Sequence, residues 1–244
     1  MQSLGRGIAV LDALVRAEGP LSATEIGRRC EIHQTTVSRI LTDLIAVGYA
    51  RKVSYREFAP DFGLLSLSVE ATTHFDLLAR PRLAMERCAA LCNGLQVSLC
   101  MLWRQQLLYF DQTSRGFETR LFEGADYPVH LSSPGMLFML EMPPATALRL
   151  LAESRRKWGW SRPTEAVAST EPEVLAATRG ALRNETLVLN EWAGLGHVTA
   201  AIRLADHQGH PLALAISGPN DVLSIESLRV RLHECRRLVE KALV

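Results

Sequence analysis

The chain has 244 residues with 27 Lys and Arg against 26 Asp and Glu, 48% hydrophobic and 22% charged residues, a balance that excludes a disordered or low-complexity protein. At roughly 100–200 residues per domain the length fits one large domain or two modest ones. No window reaches the ~18 consecutive apolar residues of a membrane span, and the opening Met1-Gln2-Ser3-Leu4-Gly5-Arg6 lacks the apolar stretch of a signal peptide, so a cytoplasmic protein with no membrane partner is expected.

Residues 1–60 read as three short helices and an extended stretch. Ile8, Leu11, Leu14 and Val15 recur at helical spacing and stop at Gly19-Pro20, which predicts a first helix over residues 5–17. Ser22-Ala23-Thr24-Glu25 has the form of a capping box, in which serine oxygen and glutamate carboxylate satisfy free amides at a helix start, so a second helix is predicted over 23–30. After a tight turn at Glu31-Ile32-His33, the positions Val37, Ile40, Leu41 and Leu44 define a third helix over 34–47, with Gly48 as its stop. Its apolar stripe leaves Gln34, Thr35, Ser38, Arg39 and Thr42 facing outward, groups able to bond base edges or phosphates. Two helices, a short turn and a polar outward face make the pattern of a helix-turn-helix. Tyr49, Val53, Tyr55 and Phe58 among Arg51, Lys52 and Arg56 then suit a basic hairpin, or wing. The same patterning also suits an ordinary small helical domain. The charge does not decide between them: residues 1–60 hold eight cations against six acids, an excess a solvated surface would show as well.

Residues 61–79 predict a connecting helix. A second unit opens at Arg80-Pro81 with a helix carrying Leu83, Ala84, Cys88 and Leu91. Two strands, 96–103 and 107–111, form a hairpin across Arg104-Gln105-Gln106, and helical patterns follow at 135–140, 144–153 and 171–184. A second strand pair, 198–204 and 212–217, precedes a terminal helix over 225–243. The order helix, strands, helices, strands, helix predicts an α+β domain in which helices flank an antiparallel sheet. Five cysteines, Cys30, Cys88, Cys92, Cys100 and Cys235, without paired spacing, read as reduced thiols rather than a disulfide framework. Cys88 and Cys92 at i, i+4 and His207 with His210 have spacings that suit a metal, but neither pair has a third ligand nearby. They read as core packing and a hairpin tip.

Several stretches resemble the IclR family of bacterial transcription regulators, over nearly the whole chain. Leu21-Ser22-Ala23-Thr24-Glu25-Ile26-Gly27-Arg28-Arg29, then Thr35-Thr36-Val37-Ser38-Arg39-Ile40-Leu41, Leu44 and Gly48-Tyr49, are similar to that family's winged helix. Tyr55-Arg56-Glu57-Phe58-Ala59-Pro60 resembles its return strand. Farther on, Tyr109-Phe110-Asp111, Pro128-Val129-His130 with Gly135, Gly194-Leu195-Gly196-His197-Val198-Thr199-Ala200-Ala201 and Ser217-Gly218-Pro219 resemble its C-terminal motifs. The resemblance implies a winged helix-turn-helix at residues 1–60, a linker helix at 61–79 and a GAF-like effector-binding and oligomerisation domain at 80–244. It also implies a homodimer or dimer of dimers on pseudo-palindromic double-stranded operator DNA. A small-molecule effector, a carboxylic or aromatic acid of a catabolic pathway, would control it, and no cofactor or enzymatic activity is expected.

By position in that resemblance, Gln34, Thr35, Thr36, Ser38, Arg39 and Thr42 lie in or beside the major groove, and Arg51, Lys52 and Arg56 hold the backbone from the wing. The implied effector pocket comprises His130, Ser132, Ser133, Pro134, Gly135, His197, Ala215 and Ser217. Here the chain departs from the family's pattern: His197 stands where cysteine is common, Met136 where lysine is frequent, and Pro134 supplies no N–H to an anion at a helix start. A larger or less acidic ligand than a small 2-oxo acid is therefore expected. Two other readings stand beside this one: a constitutive DNA binder with a self-plugged sensor domain, and a hydrolase built around His197 and Ser217. The chain contains no G-x-S-x-G, phosphate loop or H-E-x-x-H to support the latter.

Overall fold

The computed structural model describes residues 2–104, 106–113, 120–124 and 128–244, with the side chains of 111, 112 and 120–124 outside that description. Residue 105, in the predicted hairpin turn, and the side chain of Asp111 therefore lie outside the described residues. The chain divides into two compact units, Met1–Phe75 and Asp76–Val244.

In the first unit, α1 (Ser3–Val15), α2 (Ala23–Cys30) and α3 (Gln34–Ala46) close around Val10, Leu14, Ile26, Val37 and Leu41. The capping box at α2 is present: Glu25 N–H donates to Ser22 Oγ (3.2 Å) and Ser22 N–H donates to the Glu25 carboxylate (2.8 Å). The α2–α3 turn is set by Glu31 in the left-handed region (φ 56°) and by Ile32 N–H donating to Gly27 O at 2.9 Å. A Cβ on Gly27 would sit 2.6 Å from the Ile32 carbonyl oxygen, so glycine is what lets the turn close. Gly48, at φ 77°, ends α3, with Tyr49 N–H donating to Leu44 O. Strands β1 (Leu21–Ser22), β2 (Ala50–Lys52) and β3 (Glu57–Pro60) form a small antiparallel sheet in the order β1-β3-β2.

The expected connecting helix is interrupted. α4 runs Gly63–Thr73, and α5 (Asp76–Ala79) begins the second unit after a break at His74 and Phe75. The Thr72 and Thr73 hydroxyls donate to the carbonyls of Val69 and Glu70 (both 2.8 Å), and His74 and Phe75 bond only three residues back. Side chains that engage nearby backbone offer the chain an alternative to continued α-helix.

In the second unit a seven-stranded antiparallel sheet has the order β6-β5-β4-β10-β9-β8-β7. Its strands are β4 (Gln96–Trp103), β5 (Gln106–Thr113), β6 (Arg120–Gly124), β7 (Leu182–Arg183), β8 (Thr186–Asn190), β9 (His197–Arg203) and β10 (Leu212–Pro219). One face is covered by α6 (Arg82–Leu91) and the C-terminal α10 (Ile225–Leu243), around Met85, Cys88, Leu99, Leu214, Leu232 and Cys235. The other is covered by α7 (Ser133–Leu140), α8 (Pro144–Trp158) and α9 (Glu171–Ala181), around Cys100, Phe138, Leu151, Val174, Ala201 and Ala213. The layers follow from strands apolar on both faces, each of which needs a helical cover.

Two sequence expectations are corrected here. The helix expected to reach residue 184 stops at Ala181, and residues 182–190 form the β7–β8 hairpin across Asn184 and Glu185, both at positive φ. Thr186-Leu187-Val188-Leu189 is buried without a break, so it shows none of the alternation that marks a strand, and a glycine-free turn hid the hairpin. β6 was also not anticipated; it pairs with β5 at the sheet edge.

Candidate nucleic-acid interface and ligand site

α3 presents its apolar side to the first core and its polar side to solvent. Gln34, Thr35, Ser38, Arg39 and Thr42 are exposed and Thr36 is half-buried. Two hydroxyls are engaged locally: Thr42 donates to Ser38 O (3.0 Å), and Thr35 Oγ1 lies 2.9 Å from His33 Nδ1, the cap of the helix. Gln34, Ser38 and Arg39 are therefore the side chains best placed to exchange water for another partner. On the hairpin that follows, Arg51, Lys52 and Arg56 are all exposed; β2 and β3 hold the first two in register through Arg51 opposite Ala59 and Lys52 opposite Phe58, and Arg56 stands in the connection just before β3. A polar helix face beside a cationic hairpin can bond bases and neutralise phosphates.

In the second unit, α7 packs on the sheet at β8, β9, β10 and β4. Strand alternation and the shared core of Cys100, Ala201, Ala213 and Ala215 put His197, Thr199 and Ser217 on the face beneath α7, together with Gln96 and Ser98. Ser217 stands opposite Thr199 on β9 and Gln96 on β4, and its hydroxyl donates to the Gln96 amide oxygen (3.3 Å). Ala215 stands opposite Ala201 and Ser98, and His197 opposite Pro219. Burial lowers the His197 pKa from its ordinary value.

The N-terminus of α7 is largely occupied by its own residues. Ser132 Oγ accepts from Gly135 N–H (3.1 Å) and lies 3.3 Å from Tyr109 OH, while Pro134 has no N–H. A Cβ on Gly135 would come 2.7 Å from Val129 Cγ2, so any larger residue there requires the Val129 side chain to move. Ser133 Oγ and Thr199 Oγ1 are buried and have no hydrogen-bond partner among the described residues. A buried unpaired hydroxyl costs about 1–3 kcal/mol unless a ligand or water completes it.

His130, by contrast, is tied to the segment after α8. Its Nε2–H donates to Ser161 O (2.7 Å), and its ring stacks on Trp160 with centroids 4.1 Å apart. Burial lowers its pKa, against a smaller opposing pull from the Ser161 bond and Glu171. Sequence reasoning missed Thr199 and Trp160. Thr199 sits within a quoted motif and shares strand parity with His197, a signal that was available; nothing in the sequence joins Trp160 to His130. Cys88 and Cys92 are fully buried in the α6–α10 core, with Cys88 Sγ donating to Cys235 O, and His207 and His210 close a turn through their backbones.

Residues 3–54 match the model of the IclR helix-turn-helix domain. The N-terminal segment is thus similar to the IclR helix-turn-helix domain. A curated relative, "Probable transcriptional regulator SauR" of Cupriavidus necator, is 24% identical over 91% of this chain and 88% of its own length. The IclR family regulator of Brucella abortus shares the fold at a TM-score of 0.75 and 22% identity, over 99% of this chain and 92% of that one. An IclR homologue of Microbacterium hydrocarbonoxydans, solved with 4-hydroxybenzoate, does so at a TM-score of 0.74 and 19% identity, over 99% of each chain. The chain is thus an α+β protein with a helix-turn-helix followed by an antiparallel-sheet domain, and none of its described helices is long and apolar enough to cross a membrane.

Proposed function

We propose that this IclR-type regulator binds a pseudo-palindromic operator as a homodimer or dimer of dimers and that a small metabolite, bound in the second unit, sets its operator affinity. The observation that carries the DNA-binding part is the exposed face of Gln34, Ser38 and Arg39 beside the cationic hairpin of Arg51, Lys52 and Arg56. Arg39 is assigned to a guanine edge or a phosphate, because its guanidinium donates two parallel bonds. Thr35, Thr36 and Thr42 shape the same surface.

Dimerisation has support in the first unit. Leu4, Ile8 and Val15 form an exposed stripe on α1, and Phe62, Leu65 and Val69 a second one along α4. An open groove is lined by Val15, Arg51, Pro60, Asp61, Phe62 and Leu65. Apolar stripes of that kind call for a partner surface, and one recognition helix reads too few base pairs to be selective alone.

For the ligand, Ser133, Thr199, Ser217 and His197 supply hydroxyl and imidazole groups above the small side chain of Ala215, and Ser132, Pro134 and Gly135 shape the rim. His130 supports that rim through its stack on Trp160. Because, among the described residues, only the Ser133 N–H has no partner in the first turn of α7, a small carboxylate finds little anion binding there. A weakly acidic or aromatic compound with hydroxyl groups suits the site better, in keeping with the 4-hydroxybenzoate bound to the Microbacterium homologue. A shift assay of the full chain on DNA upstream of its own gene, at fixed salt and with a panel of aromatic and aliphatic acids, tests the reading. A specific shift altered by one compound is the expected result. A specific shift indifferent to every compound would instead support a constitutive binder.

A further inference from the structure

At the tip of the β2–β3 hairpin, Tyr55 is 83% exposed. Lys52 Nζ stands 5.3 Å and Arg56 Cζ 5.7 Å from its ring centroid, so two cations accompany the ring at the tip. The tip is fixed by its own bonds. Val53 N–H donates to Glu57 O (2.9 Å), and the Ser54 hydroxyl donates to the Glu57 carboxylate (2.9 Å), which engages the nearby acid without neutralising either cation. The apolar Val53 is also open to solvent. The hairpin therefore holds out an exposed aromatic ring with two cations close to it.

That combination has a physical match in duplex DNA. The minor groove is about 6 Å wide, narrower still over A·T tracts, and there its negative potential draws inserted cations most strongly. An aromatic ring can pack on the sugar walls of such a groove while the nearby cations reach its phosphates. We propose that Tyr55 is a DNA-contact residue: with Lys52 and Arg56 it forms an aromatic tip that enters the minor groove beside the recognition helix and confers preference for A·T-rich flanks. The inference rests on the reading that α3 and the hairpin bind duplex DNA. It adds a source of selectivity that the major-groove residues do not provide.

The test is selection by the full chain from duplexes carrying the core site chosen by the wild type, with randomised flanks, followed by affinity and salt titrations. Wild type enriches A·T flanks. Tyr55→Ala loses that enrichment and about tenfold in affinity for the A·T-flanked site, with an unchanged salt slope because no charge is removed. Tyr55→Phe retains both properties, and Lys52→Gln lowers the salt slope by about one. Flank enrichment that survives Tyr55→Ala overturns the inference. So does a Tyr55→Ala protein that loses the core site along with the flanks, which would make the tyrosine a support of the hairpin. A wild-type chain that enriches no core site at all would instead remove the regulator reading on which the inference stands.

Discussion

Arg39 and His130 show how differently single residues were legible. Arg39 was readable because the apolar stripe of its own helix, within seven residues, determines which side faces out. Arg39→Ala is expected to weaken specific operator binding by about 1–3 kcal/mol while leaving the fold intact, measured by titration against a scrambled duplex. His130 was placed in the pocket by a motif, yet its ring partner Trp160 lies 30 positions away and only the packed chain joins them. Its burial also makes a pH prediction. The folded-state pKa lies below the unfolded value of about 6.5, so the unfolded chain takes up the proton more readily. The contribution of His130 to stability is therefore full above about pH 6.5 and is lost as pH falls through that value toward the folded pKa. Urea midpoints at pH 7.5 and 5.5 are expected to diverge in the wild type and to lie closer together in His130→Gln, with His197, whose pKa burial also lowers, sustaining part of the difference.

At the scale of elements, those whose signals lie within one turn were readable and those defined by a distant partner were not. The capping box located α2 to the residue, and the β4–β5 and β9–β10 pairs were recognisable from runs bounded by turns. The β7–β8 hairpin was not, because a strand buried on both faces loses its alternation. α7 offers a direct test of a cap: Ser132→Ala removes the acceptor of the Gly135 N–H and is expected to cost about 1 kcal/mol in a urea titration. For α1 and α4, charge on the exposed stripe separates assembly from folding. The double substitution Leu4→Glu with Ile8→Glu is expected to give a folded monomer by light scattering. Its affinity for a two-half-site operator should fall about 100-fold or more, with half-site affinity retained. A dimer that persists would place the interface elsewhere.

For the molecule as a whole, ligand binding and stability are linked. A compound bound by the native second unit and absent from the unfolded chain raises stability by about 2.7 kcal/mol at a hundredfold excess over its Kd. The authentic effector is thus expected to raise the melting temperature of the wild type and to raise it less in Thr199→Val, which removes a buried unpaired hydroxyl without removing bulk. An equal rise in both proteins would exclude Thr199 from the ligand site. The sequence by itself determined the helix-turn-helix, the outward face of α3 and the order of the main strands and helices, because caps, turns and periodicity are local and act through a few neighbouring residues. Only the tertiary structure decided the β7–β8 hairpin, the stack of His130 on Trp160 and the alignment of Ser217 with Thr199 and Gln96. Those depend on sheet register and packing between segments far apart in the chain, which local patterns do not encode.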